Sequence, residues 1–163
     1  PITEMVTGID LIKEQIRLAA GHALSIRQQD VVLTGHSMEC RINAEDPEKF
    51  TPSPGVITKY SPPGGFGVRV DSAMETGSIV VPYYDSLIAK IVTVGSTRLN
   101  AIDRMRRSLD EYYISGIKTT VPFHAAMMRN GDFRDGNYDT GLLDRLMSAG
   151  KLNLTSRPLR LHE

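Results

Sequence analysis

Residues 87–94, Leu87-Ile88-Ala89-Lys90-Ile91-Val92-Thr93-Val94, form an apolar run interrupted only by Lys90 and Thr93. Such a run is too short for an ordinary core helix and too continuously apolar for a strand with one wet face, so it predicts a strand covered on both sides, central in its sheet. A second strand is predicted where His36, Met38, Cys40, Ile42 and Ala44 alternate with Ser37, Glu39, Arg41 and Asn43. Side chains two apart share a face, which sends Met38, Cys40 and Ile42, with His36, into the core. Glu39, Arg41 and Asn43 are left as a polar row on the other side.

Around these strands the period changes. Ile9, Ile12, Ile16 and Ala19 or Ala20 recur at helical spacing behind a capping-box-like Thr7-Gly8-Ile9-Asp10, predicting a helix over 8–20 that Gly21 closes. Ala101, Ile102, Met105, Leu109 and Tyr112 or Tyr113 predict another, ended by Gly116, with Arg98, Arg104, Arg106 and Arg107 interleaved with Asp103 and Asp110 on a solvated or partner-facing side. Thr120 is placed to cap a shorter helix with Pro122 in its first turn, and one more helix is predicted from Asp139 to near Gly150. Between 50 and 84, Pro and Gly clusters separate short β runs at 56–60, 66–71 and 79–81, the pattern of hairpins. Helix, then antiparallel strands, then helices predicts an α+β fold, a mainly antiparallel sheet flanked by helices. Residues 1–150 read as one domain and 151–163 as a frayed tail.

Composition narrows the function classes. Lys+Arg and Asp+Glu are 19 each and tryptophan is absent, so the chain offers neither a basic track nor a stacking platform for nucleic acid. No apolar run approaches a membrane span, and a lone Cys40 forms no internal disulfide. His22, His36, His124 and His162 are scattered without metal-site spacing, and no metal site is expected in this chain. Pro62-Pro63-Gly64-Gly65-Phe66-Gly67 lies between two β runs with no helix after it, which favours a hairpin turn over a phosphate loop. Two acid or base features remain. Arg41 sits on a strand among Glu39, Asn43, Glu45 and Asp46, where it is either a surface ion-pair residue or an anchored guanidinium that recognises a planar acceptor or a developing oxyanion. Asp85, before the buried strand, is either a turn cap or a site carboxylate.

Several runs are collinear with one family. Ile2-Thr3-Glu4-Met5-Val6-Thr7-Gly8-Ile9-Asp10-Leu11, Gly35-His36-Ser37-Met38-Glu39-Cys40-Arg41-Ile42-Asn43-Ala44-Glu45-Asp46-Pro47, Pro63-Gly64-Gly65-Phe66-Gly67-Val68-Arg69, Tyr84-Asp85-Ser86-Leu87-Ile88-Ala89-Lys90 and Gly116-Ile117-Lys118-Thr119 resemble the C-terminal part of the biotin carboxylase family. That family is the ATP-dependent component of acetyl-CoA carboxylase and its relatives. The resemblance runs from residue 1 to about 146. It implies ATP, Mg or Mn and bicarbonate chemistry that carboxylates the ureido nitrogen of biotin on its carrier protein. It also implies that the N-terminal and ATP-grasp domains precede this segment, so that the chain taken alone is inactive. By the same resemblance Arg41 contacts the biotin ureido oxygen, and Phe66 and Arg69 fall at a homodimer contact. Asp85 is our own candidate to orient Arg41 by a bidentate pair, which would reduce the entropy cost of holding the guanidinium. The implied partners are the missing domains, a second copy, the biotin carboxyl carrier protein and a carboxyltransferase, with no nucleic acid and no membrane. The implied location is the cytoplasm, or an organelle in a eukaryote. Pyruvate, propionyl-CoA and urea carboxylases share the domain, and a non-catalytic dimerisation module is the reading from a different class.

Overall fold

The computed structural model describes residues 1–152 and 154, and the remaining residues of the expected 151–163 tail lie outside the described part. The strand β6 (Leu87–Gly95) is the centre of a three-stranded antiparallel sheet, with β1 (His36–Asn43) on one side and β4 (Val68–Ser72) on the other. In register, Cys40 faces Ile91, which faces Val70, and Arg41 faces Lys90, which faces Asp71. Ile42 and Ile91 are fully buried, and Ala89 and Cys40 are nearly so. Both strand predictions hold, with one exception: His36, at the first position of β1, is exposed. The core ends before the strand does.

The core face of the sheet is covered by α3 (Arg98–Glu111), whose Ala101, Ile102, Met105 and Leu109 are buried, and beyond it by α4 (Val121–Arg129) and α6 (Leu142–Ser148). Thr97 caps α3 by accepting the Asn100 N–H at 3.2 Å. Inside, the fully buried Thr93 Oγ1 donates to the Ala101 carbonyl at 2.9 Å, tying β6 to the helix without leaving an orphan hydroxyl. The helix stops at Glu111, short of Gly116. Tyr112 takes an extended backbone and is buried, its hydroxyl 2.6 Å from that of Tyr60, and β7 (Tyr113–Ser115) pairs with β3 (Lys59–Ser61).

The expected hairpins are replaced by longer-range pairings. β2 (Gly55–Val56) pairs with β5 (Ile79–Val80), β3 with β7 and β4 with β6. Pro62 and Pro63 supply no N–H and cannot extend the β3 ladder, so the chain leaves one sheet and enters another as β4. A short helix, α5 (Gly131–Asp135), follows α4, with Asn130 Oδ1 accepting the Phe133 N–H at 2.9 Å.

At the N-terminus the single helix expected over 8–20 is two: α1 (Ile2–Thr7) and α2 (Leu11–Ala19). Gly8, at φ 72°, takes the left-handed conformation that closes α1, and Asp10 rather than Thr7 caps α2 by accepting the Lys13 N–H at 2.9 Å. α1 lies on the sheet face opposite the core, over Glu39 and the buried Val92. α2 buries no residue, and Leu11, Ile12, Ile16 and Leu18 are exposed.

Burial pushes the Cys40 thiol up to about 12, and Glu39 adds to the shift. At pH 8 an alkylating reagent is therefore expected to label the folded chain at least about 100-fold more slowly than the denatured chain. Equal labelling rates would show that Cys40 is not in the core.

Candidate functional site

The outer face of the sheet carries the polar residues. Across the three strands run Arg41, Lys90 and Asp71 in one row and Glu39, Val92 and Arg69 in the next. Between this face, α1 and the start of α2 lies a cleft of about 530 Å³, lined by Glu4, Glu39, Arg69, Asp71 and Lys90 among others. Arg69 is committed within it. Its Nε donates to Asp71 Oδ1 at 2.7 Å and its Nη1 to Glu4 Oε1 at 3.1 Å, and the two carboxylates raise its pKa above the usual arginine value.

Arg41 is different. Its side chain is exposed, and among the described residues its guanidinium makes no hydrogen bond or ion pair, while its backbone is held on both edges. On one edge β1 pairs with β6. On the other the Arg41 carbonyl accepts from Thr120 Oγ1 at 3.2 Å and from His124 Nε2 at 2.8 Å. Burial lowers the His124 pKa, opposed in part by that carbonyl, so the ring is neutral at pH 7 with its proton on Nε2, since a carbonyl only accepts. An unpaired planar guanidinium on a fixed strand can take a planar oxygen acceptor and stabilise charge that develops on it.

The bidentate pair expected between Asp85 and Arg41 is not formed. Asp85 Oδ1 accepts the Leu87 N–H at 2.8 Å, the turn-capping alternative, which satisfies the carboxylate locally at the start of β6. Nearby, Glu45 accepts from both the Asn43 amide and the Ser86 hydroxyl. Among the described residues no group of three or more His, Cys, Asp or Glu is arranged to hold a metal ion.

Phe66 and Arg69 lie against different elements, Arg69 against α1 and Phe66 against α3. Phe66 is 89% exposed on a turn between Gly65 and Gly67, whose φ of 102° and 70° a side chain would strain. The Arg104 guanidinium stands 5.1 Å from the ring centroid and also donates to the Val94 carbonyl; Arg107 reaches the Gly64 carbonyl at 3.4 Å and pairs with Glu111. Arg98 donates to the Phe133 carbonyl at 2.8 Å. On α3, Arg98 and Arg104 are thus half-buried against neighbouring backbone, while Arg106 and Arg107 are exposed, as a solvated side requires. Thr120 and His124 were legible as helix residues but not as partners of Arg41, because 79 and 83 residues separate them from it.

Residues 39–145 match the family model for the biotin carboxylase C-terminal domain, and residues 1–27 match that for the carbamoyl-phosphate synthase L chain ATP binding domain. The chain is 56% identical over 145 residues to biotin carboxylase 1 of Bacillus subtilis, covering 88% of this chain and 32% of that protein. It is 53% identical over 145 residues to a pyruvate carboxylase subunit from Methanothermobacter thermautotrophicus, covering 88% and 30%. Among solved structures it matches the biotin carboxylase domain dimer of Hydrogenobacter thermophilus 2-oxoglutarate carboxylase, in complex with MgADP, ADP and bicarbonate, at TM-score 0.87 and 51% identity over 90% of this chain and 32% of that one. The chain spans about a third of the length of these relatives. With the expected α+β architecture in place and one family model covering most of the sequence, the chain belongs to the biotin carboxylase C-terminal domain family.

Proposed function

We propose that this chain is the C-terminal part of an ATP-dependent biotin carboxylase, and that Arg41 is its contribution to the chemistry. The observation that carries the reading is an exposed guanidinium without a partner among the described residues, on a strand whose backbone is fixed along both edges. Biotin is the substrate that accepts the carboxyl group, and it does so through its ureido nitrogen. As that nitrogen loses its proton, negative charge moves onto the ureido oxygen. A guanidinium already in place and always charged stabilises that oxygen more in the transition state than in the ground state, which raises the rate rather than merely tightening binding. Charge not cancelled by a carboxylate is what this role needs, and the turn of Asp85 back onto Leu87 leaves Arg41 with its full charge.

ATP and its metal are bound by residues outside this chain, and the isolated chain is inactive. Its working partners are the ATP-grasp and N-terminal domains, the biotin carrier protein, a carboxyltransferase and a second copy. The final acceptor is selected by the carboxyltransferase. Acetyl-CoA is our first assignment, resting on the motif resemblance alone, with pyruvate and 2-oxoglutarate as the acceptors named in other relatives. The test is ATP cleavage by the natural gene product containing this segment, with and without bicarbonate and free biotin. Biotin-stimulated, bicarbonate-dependent turnover is expected. A protein inert under all conditions would leave a non-catalytic interaction module.

Phe66 is the proposed anchor of the contact with the second copy, since a highly exposed aromatic on a stapled glycine turn has already lost the freedom that binding would cost. Phe66→Ala is expected to weaken self-association at least about 30-fold by sedimentation, the loss of one hot spot. An unchanged dimer would remove Phe66 from the interface.

A further inference from the structure

β1 is an edge strand, and the outward backbone groups of such a strand need partners or water. At Arg41 and Asn43, the end of the strand, three of these groups are met by two side chains and one amide from the start of a helix. The Thr120 N–H donates to the Asn43 carbonyl at 3.0 Å, Thr120 Oγ1 accepts the Asn43 N–H at 3.0 Å and donates to the Arg41 carbonyl at 3.2 Å, and His124 Nε2, one turn on, donates to that same carbonyl at 2.8 Å.

Two details separate this clasp from ordinary helix docking. Thr120 stands at the N-cap position of α4 yet makes no capping hydrogen bond, so the hydroxyl that ordinarily closes a helix start is spent on the strand. The bonds also converge on residue 41, whose carbonyl takes two side-chain donors while its guanidinium takes no partner among the described residues. Phe123 anchors the base of the clasp, edge-on to Phe50 with ring centroids 5.2 Å apart. The Cα of Arg41 is thereby pinned between β6 and α4, and only its side chain is free to meet a ligand.

We infer that Thr120 and His124 are positioning residues for Arg41, fixing the strand segment from which its guanidinium reaches the biotin ureido oxygen. The inference rests on the biotin-facing reading of Arg41. A guanidinium that stabilises developing charge loses effect with displacements of about an ångström, so loosening its anchor acts on the biotin step.

The experiment uses the natural gene product and compares His124→Leu, His124→Gln, Thr120→Ala, Thr120→Ser and Arg41→Gln with wild type. It reads the ratio of biotin-stimulated to biotin-independent ATP cleavage within each preparation, which cancels differences in folded fraction, together with KM for free biotin and for ATP. His124→Leu and Thr120→Ala are each expected to lower the ratio or raise KM for biotin about 3- to 10-fold, with a smaller change in KM for ATP. His124→Gln and Thr120→Ser, which keep a donor, are expected to recover to within about 2-fold of wild type. If His124→Leu yields no folded protein, the Thr120 pair decides the question. Wild-type ratios in His124→Leu and Thr120→Ala beside a lost ratio in Arg41→Gln would overturn the positioning role and leave the biotin reading standing. A wild-type ratio in Arg41→Gln would overturn both.

Discussion

Arg41→Gln, in the natural gene product, is expected to reduce biotin-stimulated ATP cleavage about 100- to 1000-fold, the usual cost of removing one fixed donor from a developing oxyanion. Glutamine preserves much of the length and one amide donor while removing the charge and the fork. The substitution should leave the fold intact, because the Arg41 side chain is exposed and has no partner among the described residues to lose. Bicarbonate-dependent cleavage without biotin should remain detectable, placing Arg41 after the activation of bicarbonate. Arg41→Lys sharpens the point. Lysine keeps the charge but offers a point donor on a flexible stem, so a partial loss is expected where planar recognition matters. A folded Arg41→Gln enzyme with wild-type biotin stimulation would remove Arg41 from the reaction.

How far such a site can be read from sequence depends on how local its causes are. β6 and β1 were legible because period and burial are written in neighbouring residues: Ile91 and Cys40 are buried, and Arg41 points the other way, as alternation requires. The pairing of β2 with β5 and of β3 with β7 was not legible, since strands two or three residues long carry too little pattern to choose a distant partner over an adjacent one. The Thr120 and His124 clasp was hidden for the same reason. Thr120 reads correctly as the start of α4, but nothing near it says that its hydroxyl turns to a strand some 80 residues back. An Asp85–Arg41 pair is chemically reasonable from charge alone, but the local competition for that carboxylate is won by an amide two residues away.

The apolar spacing of the N-terminal helix misleads in an instructive way. Ile12 and Ile16 recur as in a core-facing helix, and α2 is a helix, yet it buries nothing in this chain. Periodicity reports that a face is apolar, not which surface covers it. The segment 1–27, which holds α2, matches a different family model from 39–145. This agrees with the proposal that most of the active site is built by preceding domains.

That division of labour predicts a contrast in stability. Ile91→Ala is expected to destabilise the chain by about 2–5 kcal/mol, the range for truncating a fully buried isoleucine, and to lower the midpoint of thermal unfolding by roughly 5–15 °C. Ile91 has no exposed surface, lies at the middle of the central strand between Cys40 and Val70, and belongs to the same buried cluster as Ile102 and Met105 of α3. Close neighbours on three elements leave little freedom to collapse into the space, which argues for the upper half of the range. Ile12→Ala removes the same atoms from a site that is 64% exposed, and is expected to change stability by no more than about 0.5 kcal/mol. Both are read from thermal unfolding of the chain followed by circular dichroism. Equal shifts for the two variants would mean that α2 packs into the core after all. A midpoint for Ile91→Ala within about a degree of wild type would mean that the β1-β6-β4 sheet does not set the stability of the domain, and would remove the rigid platform on which the role of Arg41 depends.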